Sequence, residues 1–158
     1  MNDFFQIGKW VSGSATSHDL KEIIENIKSR KCKKVFVGCD SHLRGPKYVF
    51  AMVIATYSNE QGGKFFFKRK KVADSRFKNS KVRLLEEVNY IVMLGNLLKD
   101  ELGDDIEIHT HFDLNPNTAY LSSQLVPHAK SYAHAMGFIP TLKPDAWASS
   151  SIADMKAK

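Results

Sequence analysis

Three runs of β-branched and aromatic residues each end on an aspartate, and this repeated pattern constrains the chain more than any other feature. The first is Val35-Phe36-Val37-Gly38-Cys39-Asp40-Ser41-His42. The second is Ile106-Glu107-Ile108-His109-Thr110-His111-Phe112-Asp113, and the third is Phe138-Ile139-Pro140-Thr141-Leu142-Lys143-Pro144-Asp145. A carboxylate at the end of an apolar strand is costly unless something partners it. Strands also hold their terminal side chains rigidly. Three such runs therefore point to carboxylates delivered to one place, with divalent metal as the expected partner.

The rest of the chain supplies the elements that such a site needs. Leu20, Ile23, Ile24 and Ile27 mark one face of a helix over 17–29, with Thr16 or Ser17 as its N-cap. Strands are expected over 34–41, 48–57 and 64–72. Their short connections make them an antiparallel meander. Leu84, Leu85, Val88, Ile91, Val92, Gly95, Leu98 and Leu102 recur at helical spacing, predicting a long helix over 79–102. A fourth strand follows over 106–113. A helix to Met136 comes next, and Pro127 requires that it either begin near Val126 or kink there. A fifth strand over 138–143 and a small-residue helix over 146–156 complete the chain. Phe4, Phe5, Ile7, Trp10 and Val11 are too apolar for a free tail and should pack on the body. The expected fold is a single α/β domain over 1–158. Its five-stranded mixed sheet has the order β-β-β-α-β-α-β-α after an extra N-terminal helix.

Within that frame Asp40, Glu87, Asp113 and Asp145 are the candidate metal ligands and catalytic residues. At about 100° per residue, Glu87 lies at the edge of the apolar helix stripe, whereas Glu86 points nearly opposite it. Each residue also has a plainer role open to it. Asp40 before Ser41 suits a turn, Glu87 suits a boundary carboxylate that reaches water, and Asp145 suits a helix cap. Asp154, on the last helix, competes with Asp145 as the fourth ligand. His111 and Ser41 stand where they would support the first ligands, His111 also as a proton shuttle. Hard oxygen donors favour Mg²⁺ or Mn²⁺. In two-metal phosphodiester cleavage, ions about 3.5–4 Å apart hold the attacking water and the leaving oxygen. The spelling His109-x-His111-x-Asp113 invites zinc, but a metallo-β-lactamase-type site carries a His directly after that Asp, and here Leu114 follows.

Composition narrows the partners. The chain has 158 residues, is 43% apolar and 25% charged, and has a net charge of +6, which favours acidic partners such as nucleic acid. Lys64, Lys68, Arg69, Lys70, Lys71, Arg76, Lys78, Lys81 and Arg83 stand against the single acid Asp74 between residues 64 and 83, with Phe65, Phe66, Phe67 and Phe77 interleaved. That stretch suits either a phosphate-tracking surface or a solvated strand edge. Cys32 and Cys39 are too few for a disulfide framework, which fits a reducing cytoplasm. Met1 to Phe5 has no leader-like character, and no apolar stretch approaches a membrane span.

The order of Asp, Glu and Asp on first strand, long helix and fourth strand resembles the ribonuclease H-like superfamily. Val37-Gly38-Cys39-Asp40-Ser41, His111-Phe112-Asp113 and Lys143-Pro144-Asp145-Ala146-Trp147-Ala148-Ser149-Ser150-Ser151-Ile152-Ala153-Asp154 resemble the YkuK-type family of ribonuclease H-like proteins, from about residue 16 onward. Cys39 departs from a position that is usually small and polar there, and His42 stands where an amide is common. The resemblance implies a metal-dependent nuclease acting on RNA, RNA–DNA hybrid or DNA. Asp40 would bridge two metal sites, Glu87 and Asp113 would each complete one side, and Asp145 or Asp154 would close the second. Lys68, Lys70 and Lys143 are candidate phosphate contacts. Two other readings stay open: a catalytically silent module that binds nucleic acid or protein, and a phosphohydrolase acting on small phosphorylated substrates.

Overall fold

The computed structural model describes residues 3–158. Met1 and Asn2, part of the stretch read for a leader, lie outside the described residues. A short helix α1 (Asp3–Gln6) leads into a hairpin, β1 (Trp10–Ser12) and β2 (Ser17–His18). Helix α2 (Leu20–Ser29) is followed by the meander β3 (Lys34–Arg44), β4 (Lys47–Ser58) and β5 (Gly62–Val72). The long helix α3 (Ser80–Leu102) crosses to β6 (Glu107–His111). Helix α4 (Val126–Ala135) then crosses to β7 (Ile139–Thr141). A π-helical turn (Ala148–Ala153) and α5 (Asp154–Ala157) close the chain.

The sheet has seven strands rather than five, in the order β2-β1-β5-β4-β3-β6-β7. β3, β4 and β5 pair antiparallel, while β6 and β7 join β3 in parallel, as helix crossovers require. The two additional strands are three and two residues long, too short for an alternating pattern to show. They extend the sheet because Val11 and Ser12 pair with Phe67 and Phe66 on β5. Ser17 is consumed by that hairpin. Helix α2 therefore starts later than its periodicity suggests, capped by Asp19, whose carboxylate accepts the Glu22 N–H at 2.8 Å. Pro127 sits in the first turn of α4, where its missing N–H costs nothing, so that helix begins at Val126 without a kink. Phe5 and Trp10 are fully buried, and the Trp10 indole donates to the Phe5 carbonyl at 3.0 Å. Among the described residues no helix is long and apolar enough to cross a membrane.

Both faces of the central strands carry packed elements, one along its length and the other only in part. Val35, Val37 and Cys39 of β3 and Phe50, Met52 and Ile54 of β4 pack under α3, on Val88, Ile91 and Val92. The opposite face of β4 offers Ala51, Val53 and Ala55, and there Ala153 and Ala157 lie close. Small residues on both sides let the π turn approach the sheet closely. At Gly38 the approach is closest, because an added Cβ would fall 2.6 Å from the Ala148 carbonyl carbon and the Ser149 nitrogen.

Ser149 explains why the turn docks at that point. The last register pair between β3 and β6 is Gly38 with His111. Beyond it the Cys39 N–H has no strand partner on that side and donates to Ser149 Oγ at 2.9 Å. The Ser149 hydroxyl in turn donates to the His111 carbonyl. One buried side chain thus completes a ladder that the backbone leaves open. Gly38→Ala should force the turn off the sheet, and Ser149→Ala should strand a buried N–H and a carbonyl. Each is expected to cost about 1–3 kcal/mol in urea unfolding. A wild-type midpoint in both variants would show that the turn does not depend on this contact.

Candidate metal centre

Because β6 stops at His111 while β3 runs on to Arg44, the ladder between them ends at Gly38, and a cluster of carboxylates gathers beyond it. Asp40 joins this cluster from β3. Asp113 enters from just beyond the end of β6. Glu87 comes from α3, anchored by Ser41, whose hydroxyl donates to Glu87 Oε2 at 2.7 Å. One carboxylate oxygen from each of Asp40, Glu87 and Asp113 lies within 4.8 Å of the other two. Ser41 thus orients a ligand from its place next to Asp40 in the strand. Glu86 is half-buried and stays outside this group.

A second group shares Asp40. His42, two residues on and so on the same face of β3, places Nε2 3.2 Å from Asp40 Oδ2 and 2.9 Å from Asp154 Oδ1. Asp40, His42 and Asp154 again offer ligand atoms within 4.8 Å of one another. Asp154 reaches this point because it begins α5, directly after the π turn that Gly38 admits. Burial works against its charge, but Lys158 and then His42 outweigh that and hold its carboxyl below the usual range. Asp145 does not enter either group. It is exposed, in a bend where its N–H donates to the Leu142 carbonyl at 2.9 Å. The physical reason is that β7 already ends at Thr141, so Asp145 is not a strand-end residue.

The other candidates separate clearly. Lys143 reaches the carboxylates. Its N–H donates to the Leu114 carbonyl at 3.1 Å, which sets its ammonium 3.0 Å from Asp113 Oδ1. Lys68 and Lys70 do not reach it. Strand alternation turns both toward the α3 side of β5. Lys68 donates to the carbonyls of Phe4 and Ile7, and Lys70 lies 5.3 Å from the centroids of Phe4 and Tyr90. Their cations serve the N-terminal segment, not a phosphate at the carboxylates. His111 is also committed elsewhere. Its Nδ1 accepts the Ala148 N–H at 3.1 Å, and its ring packs edge-on against Trp147. Burial, then His109, pushes His111 down to about 4, and its Nδ1 is occupied in holding the π turn. His109 pairs with Glu107 at 3.0 Å, so the His-x-His spelling does not assemble a zinc pair. His42 was not among the sequence candidates. Its two-residue spacing from Asp40 on one strand was the available signal.

The electrostatics of the carboxylate cluster suit a cation. Burial, followed by the Asp113 charge, pushes Asp40 up to about 7. Burial and then Asp40 raise Glu87 as well. Among the described residues Glu87 Oε1 is buried with no hydrogen-bond partner. A buried, orphaned carboxylate oxygen on a side chain that gathers with two other carboxylates fits a hard divalent ion, which takes oxygen ligands and keeps waters.

A family model described as ribonuclease H-like matches residues 16–158. The chain belongs to the ribonuclease H-like family. No curated protein and no solved structure matched it. The ribonuclease H-like match begins in the turn between β1 and β2 and spans all the residues of both candidate ligand groups.

Two outcomes follow from the charge balance. Folded Asp40 keeps its proton to about pH 7, whereas its ordinary value is 3.8, so the folded state binds more protons between those values. Metal-free stability from this source therefore falls as pH rises through that window. His111 acts in the opposite sense between about 4 and 6.5, so the clean comparison is with Asp40→Asn. The stability advantage of Asp40→Asn over wild type should be larger at pH 8 than at pH 5, by at least about 3 °C in Tm, and Mn²⁺ should remove it. An advantage independent of pH would mean that Asp40 is ionised throughout. Separately, Lys143→Gln removes a cation that competes for Asp113. Calorimetric titration should show Mn²⁺ binding several-fold more tightly, and weaker binding would contradict the competition.

Proposed function

We propose that the protein is a divalent-metal-dependent nuclease that hydrolyses phosphodiester bonds in nucleic acid. The observation that carries this reading is the convergence of Asp40, Glu87 and Asp113, with the Glu87 Oε1 atom left buried and unpartnered. Membership of the ribonuclease H-like family supports it. Asp40, Glu87 and Asp113 would hold one ion, and Asp40, His42 and Asp154 a second. An oxygen-only set suits Mg²⁺ or Mn²⁺, and the imidazole of His42 widens the second site toward Mn²⁺ and other transition ions. Ions held there supply Lewis-acid stabilisation of the charge that builds on the phosphoryl and leaving oxygens.

The chain's own groups set the stage for that chemistry. Ser41 fixes the Glu87 carboxylate through its hydroxyl, so the ligand need not reorganise. His42 holds Asp40 and Asp154 together across strand and helix. Lys143, 42% exposed at its side chain, can leave Asp113 and turn to a substrate phosphate when that carboxylate is taken up by metal. The +6 net charge favours a polyanion over small neutral substrates.

The test is cleavage of labelled single-stranded RNA, RNA–DNA hybrid, single-stranded DNA and duplex DNA in Mg²⁺, Mn²⁺ and EDTA. Asp40→Asn and Glu87→Gln should each lose about 10²-fold or more in rate. Asp154→Asn should lose about ten-fold or more, and Asp145→Asn should stay within about twofold of wild type. Cleavage that survives Asp40→Asn would reject this site. Absence of any cleavage, with metal bound, would leave a ribonuclease H-like binding module.

A further inference from the structure

The sheet face that carries Asp40 is only half covered. The π turn and α5 lie over Gly38, Ala51 and Val53. Toward the opposite end of the same strands the face is open, forming a groove of about 470 Å³. Its floor is two register rows: Lys34 with Tyr57, and Phe36 with Ala55 and Phe65. Trp147 forms the wall. Its ring is held 4.8 Å from the Phe36 centroid and edge-on to His111 at 4.9 Å, yet the residue stays 40% exposed. Tyr57 is 51% exposed.

Three features together identify the occupant. The exposed apolar surface is mostly aromatic, and the Trp147 ring is already held in place by Phe36 and His111. Lys34 and Lys64 line the groove, and Lys156 sits at its margin, 5.9 Å over Phe65 and 4.8 Å over Phe67. No acid lines it. An apolar peptide would need no cations, whereas ordered aromatic faces with a cationic rim suit unpaired bases on a phosphate backbone. A duplex keeps its base faces stacked and has none to offer. Phe36 and Asp40 lie four residues apart on one face of one strand, about 13 Å at strand spacing. A strand seated in the groove can therefore extend around the π turn to the carboxylates.

We propose that this groove binds single-stranded nucleic acid, stacking bases on Trp147 and Tyr57 while Lys34 and Lys156 contact phosphates. This names the strand that the nuclease reading would take and rests on that reading only for the link to cleavage. Trp10 is fully buried, so Trp147 should be the responsive fluorophore of the two tryptophans.

The experiment is a titration in EDTA with oligothymidylate, an abasic strand of equal length, and a duplex, read by tryptophan fluorescence and by anisotropy of the labelled strand. Oligothymidylate should quench Trp147 and bind at least ten-fold more tightly than the abasic strand. Tyr57→Ala, at an exposed position, and Trp147→Ala should each weaken that binding about ten-fold. Trp147→Phe should restore binding by anisotropy without the quench. Equal affinity for the abasic strand, or no effect of Tyr57→Ala, would overturn the proposal. So would self-association that Trp147→Ala abolishes, which would make the groove an interface between copies. Base-dependent binding by a wild type that cleaves nothing would reject the nuclease and keep the groove. Metal-dependent cleavage with unchanged kcat/KM in Tyr57→Ala would do the reverse.

Discussion

The site depends on where two parallel strands stop pairing. β3 and β6 share a ladder only as far as Gly38 and His111. Beyond that pair the backbone ladder stops, at the carboxyl ends of both strands, the usual position for a site in a sheet of this kind. Ser149 fills the first gap by taking the Cys39 N–H and giving its own proton to the His111 carbonyl. The gap is closed for hydrogen bonding and left open for side chains. Asp40 and Asp113 then lie on either side of it, and α3 brings Glu87 from the far face, which an unbroken strand pair would have screened.

The same docking event assembles the second candidate ligand group. Gly38 lets the Ala148–Ser149 backbone rest on the sheet, and α5 begins where the π turn ends, so Asp154 arrives beside His42. Stability and chemistry are thereby linked. Crowding carboxylates in a buried cluster raises Asp40 and Glu87, and Lys143 and His42 supply cationic or donor partners at its rim. Glu87 Oε1 remains without one. A divalent ion relieves that arrangement more completely than protons can, because one centre satisfies several oxygens at once.

The basic, aromatic segment between residues 64 and 83 divides by strand alternation. Lys68 and Lys70 turn inward to α1 and α3, while Phe65, Phe67 and Arg69 face the side that carries Asp40. Neither a phosphate-tracking surface nor a solvated edge describes the whole stretch. The aromatic part joins Phe36 and Trp147 from distant points in the chain, and the lysines most prominent in the sequence tie down the N-terminal segment.

Much of the fold and part of the site were legible in the chain itself. Strong periodicity marked the meander, α3 and the crossover strands, because long amphipathic elements must alternate to bury one face. Helical phase alone singled out Glu87 over Glu86. The hairpin β1–β2 was not legible, since strands of two or three residues carry no period. Lys143 could be named but not placed, since an ion pair across thirty residues depends on the β6–β7 register. Asp145 and Asp154 both stood in the final block, and spacing along the chain does not rank them. Tertiary structure sets Asp154, and not Asp145, beside Asp40, because β7 ends early and a glycine on β3 leaves room for a turn that carries Asp154 inward. Local sequence thus determined which elements form and which faces they bury. Only packing decided which side chains meet, because convergence depends on where strands stop pairing and how closely backbones approach.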